Sequence, residues 1–257
     1  MASINVRQVA KVFPGPTPIR ALDSVDLDVG EGEFLALLGP SGCGKSTLLN
    51  ILAGFEKSTE GTVHFDGITI ARPGPDRGVV FQEAALFPWL TVIDNVTFGP
   101  RLQGMRRADY ERLAEEMLAL VGLSDFRNSY PSQLSGGMRQ RVGIARVLVM
   151  KPRALLMDEP FGALDAQTRM SMQELLLDVW QQLGTTVVFV THDIDEAILL
   201  ADRVCIMSAR PARIAREMRI ELPRPRTLNQ LIDAAFVGYK AEIMREMRSA
   251  HSAGGRP

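Results

Sequence analysis

Gly39, Gly42 and Gly44 precede Lys45, Ser46 and Thr47 without a break in the stretch "LLGPSGCGKSTLLN". Glycine loses more backbone entropy on folding than any other residue, so such a cluster implies unusual backbone shapes or close approach to a bound group. The spacing Gly39-x-x-x-x-Gly44-Lys45-Ser46 follows an apolar run and opens a helical stretch. In that context freed backbone N–H groups curl around an anion and the helix N-terminus adds its positive end. Pro40, Ser41, Gly42, Cys43 and Thr47 complete the loop. Lys45 is placed to reach terminal phosphates, and the Ser46 hydroxyl to bind Mg²⁺.

The apolar strand "ALLM" runs into Asp158 and Glu159. Buried carboxylates need a cation or hydrogen bonds to offset desolvation. In a parallel sheet, strand ends gather on the phosphate-loop edge. Asp158 then holds Mg²⁺, and Glu159 polarises water attacking a γ-phosphate. A second strand, Thr186 to Val190, delivers His192 to that edge as a γ-phosphate sensor. Gln82 follows the strand Gly78 to Phe81, and its amide can ligate Mg²⁺ or orient water. Ser135, Gly136 and Gly137 open another helix, near Met138 to Val149. This second anion-binding helix start cannot easily cradle the same nucleotide within one small domain. A second copy of the chain is the economical explanation.

These residues require a βαβ scaffold. Strands are expected at Ile4 to Val9, Val25 to Val29, Glu33 to Leu38, Thr62 to Phe65, Gly78 to Phe81, Ala154 to Met157, Thr186 to Val190 and Arg203 to Met207. Residues from about 90 to 150 read as helical. From Tyr110 onward, Leu113, Ala114, Met117, Leu120 and Val121 recur at helical spacing. A helical block inserted into one α/β core follows. Leu228 to Ser249 reads as a helix, and "HSAGGRP" as a frayed tail.

The 257 residues are 46% hydrophobic with net charge −1, which suits a globular α/β chain and gives no footprint for nucleic acid. No apolar stretch approaches bilayer length. The N-terminus lacks the basic head and apolar core of a secretion signal. Two cysteines make no disulfide framework, which points to a reducing cytoplasm. Cys43, beside Lys45 at a helix N-terminus, is expected to be a reactive thiolate that ATP covers, unless its side chain turns beneath the loop. Cys205 is expected to be buried and slow.

The set Gly39–Thr47, Gln82, "LSGGMRQR", "LLMDEP", "GALD" and "THD" resembles the ATP-binding subunit of ABC transporters over roughly Ile4 to Ser208. The resemblance implies a P-loop ATPase fold: a parallel-sheet core, an N-terminal antiparallel β subdomain and an inserted helical subdomain. The cassette would occupy 4–230, with the helical insertion at about 90–150, and 231–257 would hold a C-terminal helix and tail. It further implies a head-to-tail homodimer hydrolysing two ATP molecules with Mg²⁺, each between one copy's phosphate loop and the other's Ser135–Met138. Phe13 would stack on adenine, and Asp165 would face the other copy.

The stretch from Gly74 to Gly99 and "SARPARIAREMRIELPRPR" resemble importers for nitrate, sulfonates and taurine. Two integral-membrane permease subunits, an extracytoplasmic solute-binding protein acting indirectly, and a peripheral place on the cytoplasmic membrane face are implied. Phe87-Pro88-Trp89 would meet the permease, unless Trp89 is subdomain core. A soluble ABC-type ATPase of DNA repair or translation is the alternative, but such proteins resemble tandem cassettes or carry long coiled-coil inserts. A P-loop kinase would leave the Gly-Gly signature and His192 without a role.

Overall fold

The computed structural model describes residues 3–253, with side chains to 250. The strands are β1 (Ile4–Phe13), β2 (Ile19–Val29), β3 (Phe34–Leu38), β4 (Glu60–Phe65), β5 (Ile68–Thr69), β6 (Arg77–Val80), β7 (Ala154–Asp158), β8 (Thr186–Thr191), β9 (Arg203–Met207) and β10 (Ile214–Arg219). The helices are α1 (Lys45–Ala53), α2 (Val92–Leu102), α3 (Arg107–Leu120), α4 (Gly136–Leu148), α5 (Ala166–Leu183), α6 (Ile194–Leu200) and α7 (Ala234–Ala253).

Two sheets form. One is antiparallel, in the order β2-β1-β4-β5; the other runs β10-β9-β3-β8-β7-β6. The larger sheet is parallel from β9 to β6, and β10 pairs antiparallel at its edge. Its central strands are apolar on both faces, as a sheet covered on both sides requires. Phe34, Ala36 and Leu38 of β3 join Leu155 and Met157 of β7 in a core shared with α5, α6 and α7. The intervening Leu35 and Leu37 pack with Leu156, Val188 and Val190 against α1 and the antiparallel sheet. One strand thus bonds two layers together through the alternation of its side chains.

The helices α2, α3 and α4 enclose a separate apolar cluster that includes Val92, Val96, Leu113, Ala114, Leu118, Val121 and Val142. Of the spacing-derived face, Leu113, Ala114 and Val121 are buried, whereas Leu120 is only half-buried.

Several elements differ from the sequence expectation. β1 continues to Phe13 and β2 begins at Ile19, because register shifts carry the pairing past the point where strict alternation ends. β5 and β10 were not anticipated; both are strands at sheet edges with exposed residues and no continuous apolar run. The expected helix from Leu228 to Ser249 is two pieces. A 3₁₀ turn spans Leu228–Ile232, Asp233 is extended, and α7 follows. α7 runs through Ala253, so the first part of the expected frayed tail is helical; 254–257 lie outside the described residues.

Candidate nucleotide and catalytic site

β3 is buried from end to end and delivers the loop 39–44 to the edge of the sheet, where α1 begins. Gly44 caps α1 at φ 133°, a backbone that side chains rarely adopt, and offers no side chain to the first-turn N–H groups. A Cβ there would stand 3.0 Å from the Ala21 carbonyl oxygen and 3.0 Å from a Leu22 methyl. The N-terminus of α1 carries no acidic side chain in its first turn. Its positive end is therefore open to a bound anion.

This loop floors a cleft of about 530 Å³. Ser41, Gly42, Gly44, Lys45, Ser46, Thr47, Gln82, Asp158, Glu159 and Phe13 line it, together with Ile19, Ala21 and Arg210. Lys45 is nearly inaccessible, at 4% exposure. Its ammonium donates to the Gly39 carbonyl at 2.8 Å and the Pro40 carbonyl at 3.1 Å, and lies 3.6 Å from Glu159 Oε1. A buried charge is tolerable only with such partners. Gly39 and Pro40 thus serve the lysine through their oxygens and do not line the cleft.

Ser46 donates its hydroxyl to Asp158 Oδ1 at 2.9 Å. Burial raises the Asp158 carboxyl above its ordinary value; the Ser46 hydrogen bond opposes this and the Glu159 charge adds to it. Glu159 sits just past β7 with φ 44°, in the left-handed region. Its N–H donates to the Val190 carbonyl at 2.9 Å, and its own carbonyl accepts from Gly162 N–H at 3.0 Å. Bonds on both sides hold a conformation that costs a non-glycine residue on the order of 1–2 kcal/mol. Glu159 Oε2 lies 2.9 Å from His192 Nδ1.

His192 follows β8, and its turn is held by a network that the motifs did not predict. Glu196, 5% exposed, accepts from the Thr191 hydroxyl at 2.6 Å and from the Gln173 amide at 3.2 Å. Thr191 Oγ1 also accepts from Asp193 N–H at 3.0 Å, and Asp193 caps α6. Burial raises the Glu196 carboxyl, partly offset by its Thr191 and Gln173 bonds.

Ser135, Gly136, Gly137 and Asp165 are not in this cleft. Ser135 caps α4 and accepts from Met138 N–H at 3.2 Å; Asp165 caps α5 and accepts from Thr168 N–H at 3.0 Å. The two helix starts abut, because a Cβ on Gly137 would collide with the Thr168 methyl at 2.3 Å. Gly136 lines a separate cleft of about 400 Å³, and Gln82 borders both. Sequence reasoning missed Ile19, Ala21 and Arg210 as cleft residues. Ile19 and Ala21 open β2, and Arg210 lies in the loop after β9, outside the nucleotide-binding motifs.

Cys43 requires a correction. Its side chain is 3% exposed and turned beneath the loop, with Sγ 3.2 Å from where a Gly39 Cβ would stand. Burial raises its thiol above the ordinary range, and the nearby Lys45 charge only partly opposes that. Its side chain does not line the cleft, and burial works against the expected reactive thiolate. Cys205 is fully buried, as expected, and burial raises its thiol as well. Trp89 is 71% exposed, so it is not subdomain core.

Residues 22–162 match the family described as ABC transporter. A taurine import ATP-binding protein of Chromobacterium violaceum is 53% identical over 219 residues, covering 85% of this chain and 84% of the relative. A nitrate import ATP-binding protein of Synechocystis is 44% identical over 252 residues, covering 95% of each. A solved dimeric ATP-binding cassette in a post-hydrolysis state with ADP and Pi superposes with TM-score 0.75 at 36% identity, covering 86% of this chain and all of that one. Fold, cleft and relatives agree, and the chain belongs to the ATP-binding subunits of ABC transporters, whose ATP hydrolysis drives transport.

Proposed function

We propose that this chain powers an importer for a small anion such as nitrate, a sulfonate or taurine. The observation that carries the reading is a cleft joining an uncapped helix start and buried Lys45 to a Ser46–Asp158 pair and a Glu159–His192 pair. The names of the nitrate and taurine relatives support the importer branch. They do not favour the soluble ATPase of repair or translation.

In this reading Phe13 stacks on adenine, and the loop N–H groups with Lys45 hold the phosphates. Lys45 leaves the Gly39 and Pro40 carbonyls to meet the charge. A water attacks the γ-phosphorus as the bond to the β–γ bridging oxygen breaks, releasing ADP. Glu159 orients that water and takes up its proton, while His192 holds the Glu159 carboxylate and faces the γ-phosphate. Ser46, Asp158 and Gln82 offer a hydroxyl, a carboxylate and an amide oxygen, the hard oxygen set that suits Mg²⁺ beside substrate phosphates. When bound, Mg²⁺ would neutralise charge on the phosphates.

The exposed Ser135 loop, outside the nucleotide cleft, supports a head-to-tail homodimer in which Ser135, Gly136, Gly137 and Asp165 serve the partner's nucleotide. The exposed Trp89 beside Phe87, their rings 5.7 Å apart, supports docking to two integral-membrane permease subunits. A solute-binding protein would deliver cargo from outside. Among the described residues no helix is long and apolar enough to cross a membrane, which fits a peripheral place on the cytoplasmic face. The cassette 4–230 and a C-terminal segment 231–257 are the units we assign. A photo-crosslinker at position 89 should capture an integral-membrane protein in intact cells. Capture of ribosomal or DNA-repair proteins, with no membrane partner, contradicts the transport reading.

A further inference from the structure

The nucleotide cleft has one cationic wall that belongs to none of the nucleotide-binding motifs. After β9 the chain turns and returns to the antiparallel sheet. Ala212 N–H donates to the Ala21 carbonyl at 3.0 Å, and the Ala212 carbonyl accepts from Asp23 N–H at 3.0 Å. This pair of bonds fixes the turn against β2 and brings Arg210 to the cleft. Arg210 Nη2 lies 3.1 Å from where a Cβ would stand on Gly42. The guanidinium therefore rests against bare phosphate-loop backbone, a position that a side chain at residue 42 would contest.

Other cations around the cleft already have partners. Lys11 donates to Glu56 at 2.5 Å and to the Lys57 carbonyl at 2.8 Å. Arg20 pairs with Asp23 at 2.9 Å, and Arg213 donates Nε to the same carboxylate at 2.9 Å. Lys45 is held by two carbonyls and Glu159. Arg210 is exposed and, among the described residues, makes no hydrogen bond or ion pair. The two carboxylates of the cleft are engaged elsewhere, Asp158 by Ser46 and Glu159 by Lys45 and His192. A free guanidinium beside outward N–H groups and a helix N-terminus is a concentration of positive potential with no internal anion to answer it.

We propose that Arg210 is a nucleotide-binding residue that donates charge-assisted hydrogen bonds to the polyphosphate of ATP at the lip of the loop. The assignment rests on the reading of the cleft as the ATP site. The planar fork of guanidinium suits phosphate oxygens two at a time, which an ammonium cannot match. Because Arg210 makes no hydrogen bond or ion pair among the described residues, replacing it breaks none.

Calorimetric titration of the full chain with ATP, ADP and AMP tests this, using wild type, Arg210→Ala, Arg210→Gln, Arg210→Lys and Lys45→Ala. Loss of one charge-assisted contact should weaken ATP and ADP binding about tenfold in Arg210→Ala and Arg210→Gln. AMP should change less than about twofold, since the guanidinium lies beside the loop that holds the distal phosphates. Arg210→Lys should fall between. Unchanged ATP affinity in Arg210→Ala, while Lys45→Ala loses binding, overturns the assignment and leaves the cleft reading intact. Equal losses for AMP and ATP also overturn it. Failure of the wild-type chain to bind ATP overturns both.

Discussion

Two helix starts in this chain are marked by glycines, and they differ in what surrounds them. At α1, Gly44 leaves the first-turn N–H groups without a side-chain cap, and a cleft with a buried lysine and two carboxylates closes around them. At α4, the Ser135 hydroxyl already accepts from Met138 N–H, and Ser135 and Gly136 are exposed. Neither first turn contains an acidic residue, so both keep their positive ends. The first is a binding site whose walls come from its own chain. The second has its own side-chain cap, is exposed and lies outside the nucleotide cleft, as expected of a surface that completes a site on another molecule.

The largest effect separating these regions concerns the wall opposite α1. Glu159→Gln should lower steady-state ATP turnover about 10²–10⁴-fold, the range of a lost general base, with ATP affinity retained. Near-normal phosphate release would remove Glu159 from the chemistry. Next comes the loop itself. Gly44→Ala drives a Cβ toward the Ala21 carbonyl at a φ of 133°, so ATP affinity of the isolated chain should fall tenfold or more, about 1.4 kcal/mol. Ser135→Ala should leave that affinity unchanged and cost about 1 kcal/mol of stability through the lost cap, read by urea unfolding. Similar losses of monomer affinity from both variants would erase the contrast.

The smallest effect concerns Cys43. Burial raises its thiol, so its thiolate fraction at neutral pH is below that of a free cysteine and grows only as pH rises beyond the ordinary thiol range. Brief maleimide treatment of the native chain at neutral pH should label neither Cys43 nor Cys205, with or without ATP. Rapid, ATP-sensitive labelling of Cys43 on peptide mapping would show that the side chain faces the nucleotide after all.

The strand-loop-helix around Gly39–Thr47 was legible because glycine spacing and an apolar run each point to one geometry. Asp158, Glu159 and His192 were legible because buried strands rarely end in charged groups without cause. The direction of Cys43 was not, since its neighbours in sequence favour a thiolate while the packing beneath the loop decides where Sγ goes. Arg210 was hidden for a related reason. It stands far from the phosphate loop in sequence, and only the bonds between Ala212 and β2 bring it to the cleft. The edge strands β5 and β10 are half-exposed or exposed for most of their length, so period-2 alternation had little to mark. Asp233 divides what helical spacing joined into one segment.

The central claim is that the two helix starts meet only between two copies. Sedimentation of the Glu159→Gln chain with saturating ATP and Mg²⁺ tests it most directly, against the same chain carrying Ser135→Arg. The account predicts twice the 28.3 kDa chain mass for Glu159→Gln, and a single chain mass with ATP still bound once Ser135→Arg is added. A Glu159→Gln chain that binds ATP yet stays at single mass, or a Ser135→Arg chain that loses ATP as a monomer, would contradict it.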